Sequence, residues 1–368
     1  MSEQLTCSGC GIQVQTENEA LPGYAPKSAL ERPVIICQRC FRLTHYNEVP
    51  DVPFDNEDFV DLLKSIGNEE ALVVYIVDIF DFNGSWVPGI KKYIGRNDVL
   101  LVGNKLDILP KSTNLRKLDL WLRKMSKSLG LNPVDVALIS AAKGHGIEDL
   151  AELIEHYRKG KDVYVVGCTN VGKSTFINRL IDTFGGSDDL KITTSRFPGT
   201  TLNFIDIPLN EENTLFDTPG VMNPHQMAHF IENEALKVVM PKKELKPKVY
   251  QLNEEQTLFF GGIARIDYIS GGRRSLVCYV SNDLYIHRTK MSQADELFKK
   301  QVGELLVPPY DPNETPELKG HEIALGEANM DVVISGLGWV TIKGEKGAKV
   351  RVFAPKGVGV SKRASIIG

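Results

Sequence analysis

The feature that most restricts what this chain can fold into is the run Gly167-Cys-Thr-Asn-Val-Gly172-Lys173-Ser174. It follows a short apolar stretch, Asp162–Gly167, and precedes a segment that reads as a helix. Glycines at these spacings let backbone N–H groups curl around an anion at a helix N-terminus, where the peptide dipoles favour negative charge. Such a loop belongs to a strand–loop–helix unit of an α/β sheet. Gly167, Asn170, Val171, Gly172, Lys173, Ser174 and Thr175 are expected to line a chain of phosphates. Lys173 would neutralise β- and γ-phosphate charge, and the Ser174 hydroxyl would ligate Mg²⁺. Taken alone, the run fits an ATPase as well, or chance.

It does not stand alone. Asp217-Thr-Pro-Gly220 ends another strand-like run, with Asp217 expected on Mg²⁺ and the Gly220 N–H on the γ-phosphate. Between the two lies Pro198-Gly-Thr-Thr201, where Thr201, with Thr200 behind it, is the expected second Mg²⁺ hydroxyl. Lys173, Asn170, Thr201 and Gly220 make up the expected catalytic set. Asn104-Lys105-Leu106-Asp107 follows the apolar run Asp98–Gly103. Guanine offers N1–H and N2–H side by side, which one carboxylate accepts together; adenine leaves that carboxylate facing a lone pair. Asp107 therefore reads guanine, with Asn104 tying the loop and the Lys105 stem lying over the ring. Ser140-Ala141-Ala142-Lys143, just past a further strand, would offer backbone N–H groups to guanine O6. The expected cofactors at this site are GTP or GDP with Mg²⁺.

The strand runs at Ala71–Asp78, Asp98–Gly103, Val134–Ile139 and Asp162–Gly167 are continuous and apolar, as strands covered on both faces require. Helical periods at Asn114–Leu129 and Ile147–Tyr157 alternate with them. Thr201–Pro208 and Asn213–Asp217 read as a hairpin that completes a mainly parallel sheet. Beyond residue 222 the pattern changes. Asn223–Val239 reads as helix, Pro241–Tyr250 as a Lys-rich connector, and the remainder as short strands with a helix near Ser292–Val302.

Four of the six cysteines form two pairs, Cys7-x-x-Cys10 and Cys37-x-x-Cys40. In a chain without an export signal, thiolates on two such knuckles are expected to share one tetrahedral Zn²⁺. A redox pair and two unrelated pairs are the alternatives. No signal peptide or membrane span is visible, and the composition (42% hydrophobic, 24% charged, net charge −4) suits a soluble, cytoplasmic chain with sizeable cores. That net charge argues against a uniformly basic nucleic-acid binder.

The order of the motifs is the unusual part: the guanine-reading pair comes before the phosphate loop, whereas ordinary GTPases run the other way. With the cysteine knuckles in front and a long extension behind, the chain resembles the circularly permuted GTPases of ribosome assembly, and the YqeH family among them. The resemblance implies a GTPase acting in biogenesis of the small (30S) ribosomal subunit. The expected fold class is α/β: a circularly permuted Ras-like P-loop GTPase domain at 53–222, an N-terminal zinc-finger module at 1–52 and a smaller C-terminal α+β domain at 223–368. Val221 stands where Ras-like enzymes carry a water-orienting glutamine. Asn170 matches the asparagine with which related enzymes hold K⁺; within-loop hydrogen bonding is the alternative role. Slow intrinsic hydrolysis, stimulated by K⁺ and by a ribosomal partner, is the expectation.

His225 and His229, four apart on the expected helix, lack the Glu of a metalloprotease pair and read as a solvated or interfacial face. From Gly338 onward, Lys343, Lys346, Lys349, Arg351, Lys356, Lys362 and Arg363 alternate with Trp339 and Phe353 against the single acid Glu345. This pattern suits ribosomal RNA of the small subunit, or simply a solvated strand face. The protein is expected to be a monomer without membrane contacts. A scaffold merely stabilised by nucleotide is the competing function, and a thiol-dependent redox enzyme fits the motifs poorly.

Overall fold

The computed structural model describes residues 5, 14–18, 24–30, 35, 38, 56–184, 193–196, 203–209, 212–218, 220 and 223–367. Cys7, Cys10, Cys37 and Cys40, and with them the zinc expectation, lie outside these residues, as do Thr200, Thr201 and Val221. The chain forms two compact units. One comprises Met1–Ile76, Val87–Val102 and Ser126–Met222; the other comprises Val77–Trp86, Gly103–Met125 and Asn223–Gly368.

In chain order the elements are α1 (Asn56–Ile66), β1 (Ala71–Asp78), α2 (Phe82–Ser85), α3 (Ile90–Tyr93), β2 (Asp98–Asn104), α4 (Leu115–Ser128) and β3 (Asp135–Leu138). Then come α5 (Ile147–Arg158), β4 (Asp162–Val166), α6 (Lys173–Phe184), β5 (Thr193–Arg196), β6 (Asn203–Pro208) and β7 (Thr214–Asp217). Their strands make one seven-stranded sheet in the order β3-β2-β1-β4-β7-β6-β5. β4 lies parallel to both β1 and β7, while β6 runs antiparallel to β7 and β5. All eight residues of β1 are buried, which is why its sequence shows a continuous apolar run instead of alternation. β5 was absent from the expected set of strands: Thr-Thr-Ser-Arg carries neither an apolar run nor an alternating one. At the start of the sheet, the Asn97 side chain accepts from Ala71 N (3.1 Å) and donates to Ile66 O (2.7 Å), fixing the step from α1 into β1.

The second unit is built on two antiparallel sheets. α7 (Asn233–Val239) leads into β8 (Lys248–Leu252), β9 (Gln256–Phe260), β10 (Ala264–Ser270), β11 (Arg274–Val280), β12 (Ile286–Lys290) and α8 (Met291–Gln301). β13 (Leu318–Ala324), β14 (Met330–Ile334), β15 (Gly338–Ile342), β16 (Lys349–Pro355) and β17 (Val360–Ala364) follow. The sheet orders are β12-β9-β10-β16-β13 and β17-β14-β15-β11-β8. Alternate residues of both sheets, among them Leu258, Phe260, Ile266, Leu276, Val332, Val340, Val350 and Val352, share one apolar core. The expected α+β domain is thus a β-rich sandwich, with α8 laying Ala294, Leu297 and Phe298 against Phe259 on the outer side of the first sheet.

Asn223–Val239 is not one helix. A 3₁₀ turn at Met227–His229 precedes α7, because Met227 is fully buried in the sandwich core and its N–H donates to Ser335 O (3.0 Å). Likewise β8 occupies part of the expected Lys-rich connector, paired along β11.

On the outer face of the second sheet, Tyr279, Asp331, Trp339, Thr341 and Arg363 are all buried. The Val77–Trp86 and Gly103–Met125 segments of the same unit cover them. Phe80 packs on Trp339 (5.8 Å between centroids), and Trp121 Nε1 donates to Ala364 O (3.0 Å). Arg363 lies between the Trp121 and Trp339 rings, donates to Asn83 Oδ1 (2.7 Å) and faces Asp331. Arg363 and Trp339 therefore belong to the interior and drop out of the expected RNA-facing set.

Removing one partner of a buried pair leaves the other charge without compensation. Arg363→Ala is expected to cost about 3–5 kcal/mol of stability, measured by denaturant unfolding. Replacing Asp331 and Arg363 together by apolar residues should cost clearly less than the sum of the two single changes.

Candidate nucleotide site

The phosphate loop leaves β4 at Gly167 and enters α6 at Lys173. A Cβ on Gly167 would sit 2.4 Å from Ile76 O, so no larger residue fits beside β1. Gly172 (φ +92°) and Asn170 (φ +60°) take left-handed backbone conformations, which glycine and asparagine tolerate best. Val171, 1% exposed, pins the loop to the interior, while Ser174 and Thr175 open the first turn of α6 and are partly exposed. The Asn170 side chain is exposed, and it makes no hydrogen bond among the described residues.

Lys173 is buried and folds back over its own loop, donating from Nζ to Gly167 O (2.7 Å) and Cys168 O (2.9 Å). Burial pulls its pKa down, opposed by the charge of Asp217 and then by Cys168. Asp217 ends β7 and is also buried; burial raises its carboxyl to about 6, with Lys173 pulling the other way. Thr218 holds this strand end in place, giving both its N–H (3.2 Å) and its Oγ1 (2.8 Å) to Val165 O of β4. A Cβ on Gly220 would stand 2.7 Å from Lys173 Nζ and 3.0 Å from Thr169 N, so the Asp217–Gly220 motif and the phosphate loop abut.

One observation tests the fit of Mg²⁺: Asp217 Oδ1 is buried and has no hydrogen-bond partner. A buried, unsatisfied carboxylate oxygen is costly unless something occupies it. A hard cation with oxygen ligands suits Asp217 and the Ser174 hydroxyl. Among the described residues no group of three or more His, Cys, Asp or Glu could hold a metal by itself.

The Ser140–Lys143 loop of the same unit is a tight turn. Ser140 and His145 exchange backbone hydrogen bonds (3.0 and 3.1 Å), and Lys143 N donates to Ser140 O and Oγ. Gly146, at φ +71°, would drive a Cβ to 2.7 Å from Leu138 O.

The remaining predicted residues lie in the other unit. Asn104 closes β2, is 2% exposed, and accepts from Ile79 N through its carbonyl (3.1 Å). Lys105 adopts a left-handed conformation and places Nζ 2.6 Å from Asp78 Oδ2. Asp107 sits half-buried in the 3₁₀ turn Leu106–Ile108. Asp78 was missed as a site residue; the one signal was its place at the end of an apolar strand, the position Asp217 occupies on β7. Its other oxygen accepts from Phe80 N (2.9 Å), so the carboxylate shapes the turn as well as holding Lys105. His225 and His229 make no metal pair: His225 Nδ1 bonds Gly357 O (3.0 Å), and the His229 ring lies edge-on to Phe230.

The raised Asp217 pKa has a measurable consequence. A proton competes with Mg²⁺ for the carboxylate below about 6, while above it the anion is free to bind. Mg²⁺-dependent GDP affinity, measured calorimetrically, should be level above neutrality. It should fall with a slope approaching about tenfold per pH unit below the Asp217 pKa. Asp217→Asn should remove that slope.

Comparison with known proteins agrees with this geometry. A family model described as YqeH-like, C-terminal matches residues 273–366, and one described as 50S ribosome-binding GTPase matches 162–259. The chain is 54% identical over 367 residues to the uncharacterized protein YqeH of Bacillus subtilis (strain 168), covering 99% of this chain and 100% of that one. It is 31% identical to the NO-associated protein 1, chloroplastic/mitochondrial, of Arabidopsis thaliana, covering 92% of this chain and 69% of that protein. The putative nitric oxide synthase of Oryza sativa subsp. japonica is also 31% identical, with the same two coverages. With a phosphate loop between β4 and α6, a β-rich sandwich in the second unit and a relative matched over its full length, the chain belongs to the YqeH family of P-loop GTPases.

Proposed function

We propose that this protein binds and hydrolyses GTP as an assembly factor of the small (30S) ribosomal subunit, loading onto the particle with GTP and leaving after hydrolysis. The observation that carries the nucleotide part is the buried pair Lys173 and Asp217, each desolvated, with Asp217 Oδ1 unsatisfied. Anionic phosphate and its Mg²⁺ are the groups that would satisfy both. Bound Mg²⁺ neutralises charge on the phosphate oxygens; Ser174, Asp217 and Thr201 would hold it. Lys173 exchanges Gly167 O and Cys168 O for phosphate oxygens, and Gly220 N–H marks the γ-phosphate.

The motif order supports a circular permutation, since the base-reading strand ends (β2, β3) precede the phosphate strand (β4) in the chain while β1 and β4 are sheet neighbours. Joining the ancestral termini leaves Asp217–Gly220 to run directly into the second unit at Asn223. There the chain is secured at once. Gln226 Nε2 donates to Asp81 Oδ2 (2.8 Å), Met227 N to Ser335 O (3.0 Å), and Gly359 N to His225 O (2.9 Å). Asp81, itself buried, also accepts from Gly84 N. A change at the γ-phosphate thus has a short covalent path into the sandwich.

Lys343, Lys346 and Lys349 remain for RNA phosphate contacts, whereas Arg351 and Lys356 are already paired with Glu322 and Glu317. The matched GTPase family description names the 50S subunit, so both subunits belong in a binding assay. The four paired cysteines would hold Zn²⁺. With Val221 in the glutamine position and the exposed, left-handed Asn170 in the loop, hydrolysis is slow and K⁺-stimulated. Val221 also favours a second reading, a nucleotide-stabilised RNA- or protein-binding scaffold with little turnover.

Turnover measured in K⁺ and Na⁺ buffers, with and without 30S particles, separates the two: the enzyme should run faster with both K⁺ and particles, the scaffold with neither. Co-sedimentation with 30S, 50S and 70S particles should show tighter 30S binding with GTP than with GDP. Gln226→Leu, which removes the donor to buried Asp81, should shrink that GTP/GDP difference while leaving nucleotide affinity itself within about twofold, since Gln226 belongs to no nucleotide motif.

A further inference from the structure

Arg179 belongs to no motif. It lies on α6, six residues beyond Lys173 and so roughly 9 Å further along the helix axis. Its guanidinium donates to two consecutive carbonyls of the base-reading loop, from Nη2 to Ala142 O (3.1 Å) and from Nε to Ala141 O (3.4 Å). Gly144, held at φ +74°, closes the same loop, and a Cβ there would lie in ordinary van der Waals contact with the Arg179 stem (3.8 Å to Cδ). The Ser140–His145 backbone pair fixes the base of the loop, and Ser140 takes up the Lys143 N–H. Ala141 O also accepts from Gly144 N (3.4 Å), so Arg179 and the turn together set its peptide plane, while Arg179 holds Ala142 O from outside the loop.

A trans peptide points its N–H opposite to its C=O. Gripping Ala141 O from the α6 side aims the Ala142 N–H away from α6, and Ala142 itself is exposed. We infer that Arg179 is a positioning residue for the base: through Ala141 O it orients the Ala142 N–H toward guanine O6. The helix that presents Lys173 to phosphate thereby also sets one face of base recognition. This rests on the reading of the site as a guanine-nucleotide site. A planar guanidinium suits the task because its fork spans two acceptors, which a lysine ammonium cannot do in a fixed geometry.

The test compares binding of GDP, 6-thio-GDP and IDP to the full-length protein and its Arg179→Ala and Arg179→Lys variants. 6-Thio-GDP keeps N1–H and the 2-amino group but replaces O6 by sulfur, a weaker acceptor; IDP keeps O6 and lacks the 2-amino group. Wild-type protein should prefer GDP over 6-thio-GDP. Both variants should reduce that preference by about three- to tenfold, the worth of one well-oriented hydrogen bond, and leave the GDP/IDP ratio unchanged. Equal weakening of all three nucleotides, or an unchanged GDP/6-thio-GDP ratio, would overturn the proposal. A wild-type protein that binds ADP as tightly as GDP would instead overturn the guanine-site reading beneath it. Arg179→Lys keeps the charge and the aliphatic stem, so the ratio remains measurable even if the alanine variant folds poorly.

Discussion

Two ionisable groups of opposite sign are held out of water in the first unit, Lys173 at the start of α6 and Asp217 at the end of β7. Each is desolvated by burial and eased in part by the charge of the other, and the Lys173 ammonium is satisfied by Gly167 O and Cys168 O. The pair needs strand ends that meet at a fixed spacing, supplied by β4 and β7 in register with Thr218 tied to Val165. It also needs backbone close enough to satisfy the ammonium, which explains Gly167 beside Ile76 O and Gly220 beside Lys173 Nζ. What remains unsatisfied is one carboxylate oxygen, Asp217 Oδ1, the atom on which the proposed Mg²⁺ site rests.

The second unit handles buried charge differently. Arg265 is held bidentately by Asp267 (2.8 Å for both contacts), reaches Asp295 and lies over the Phe353 ring at 4.4 Å. Arg363 has a looser hold on Asp331, at 3.5 Å, and relies on Asn83 and two tryptophan faces. Both arginines sit on outer faces of the sandwich sheets, where alternate residues would ordinarily meet solvent. Each face is instead covered, by α8 on one side and by the Val77–Trp86 and Gly103–Met125 segments on the other. This makes aromatic and basic residues part of the interior and removes them from the surface charge that a sequence count attributes to RNA.

Local chemistry was the legible part. The phosphate loop, Asp217–Gly220, Asn104–Asp107 and Ser140–Ala142 are short strings whose residue types match the groups expected of them, so each expectation came from its own neighbourhood. The buried strands β1, β2 and β4 were legible because burial on both faces leaves an unbroken apolar run. β5 was not, being short and polar; β8 was hidden because lysines and prolines run up to and into this edge strand. The 3₁₀ turn at Met227 looked helical, since nothing local says that Ser335 O will claim the Met227 N–H, or Gly359 N the His225 carbonyl just before it, from more than a hundred residues away.

By itself, then, the chain's sequence determined which chemical groups stand at the strand ends, and in what order, because those groups act through their own side chains and adjacent backbone. The tertiary structure alone decided which charges are spent internally. Arg179 gripping Ala141 and Ala142, Lys105 held by Asp78, and Arg363 sunk between tryptophans all depend on partners remote in sequence. Pairings of that kind follow from which surfaces pack together, and no local pattern of residues encodes them.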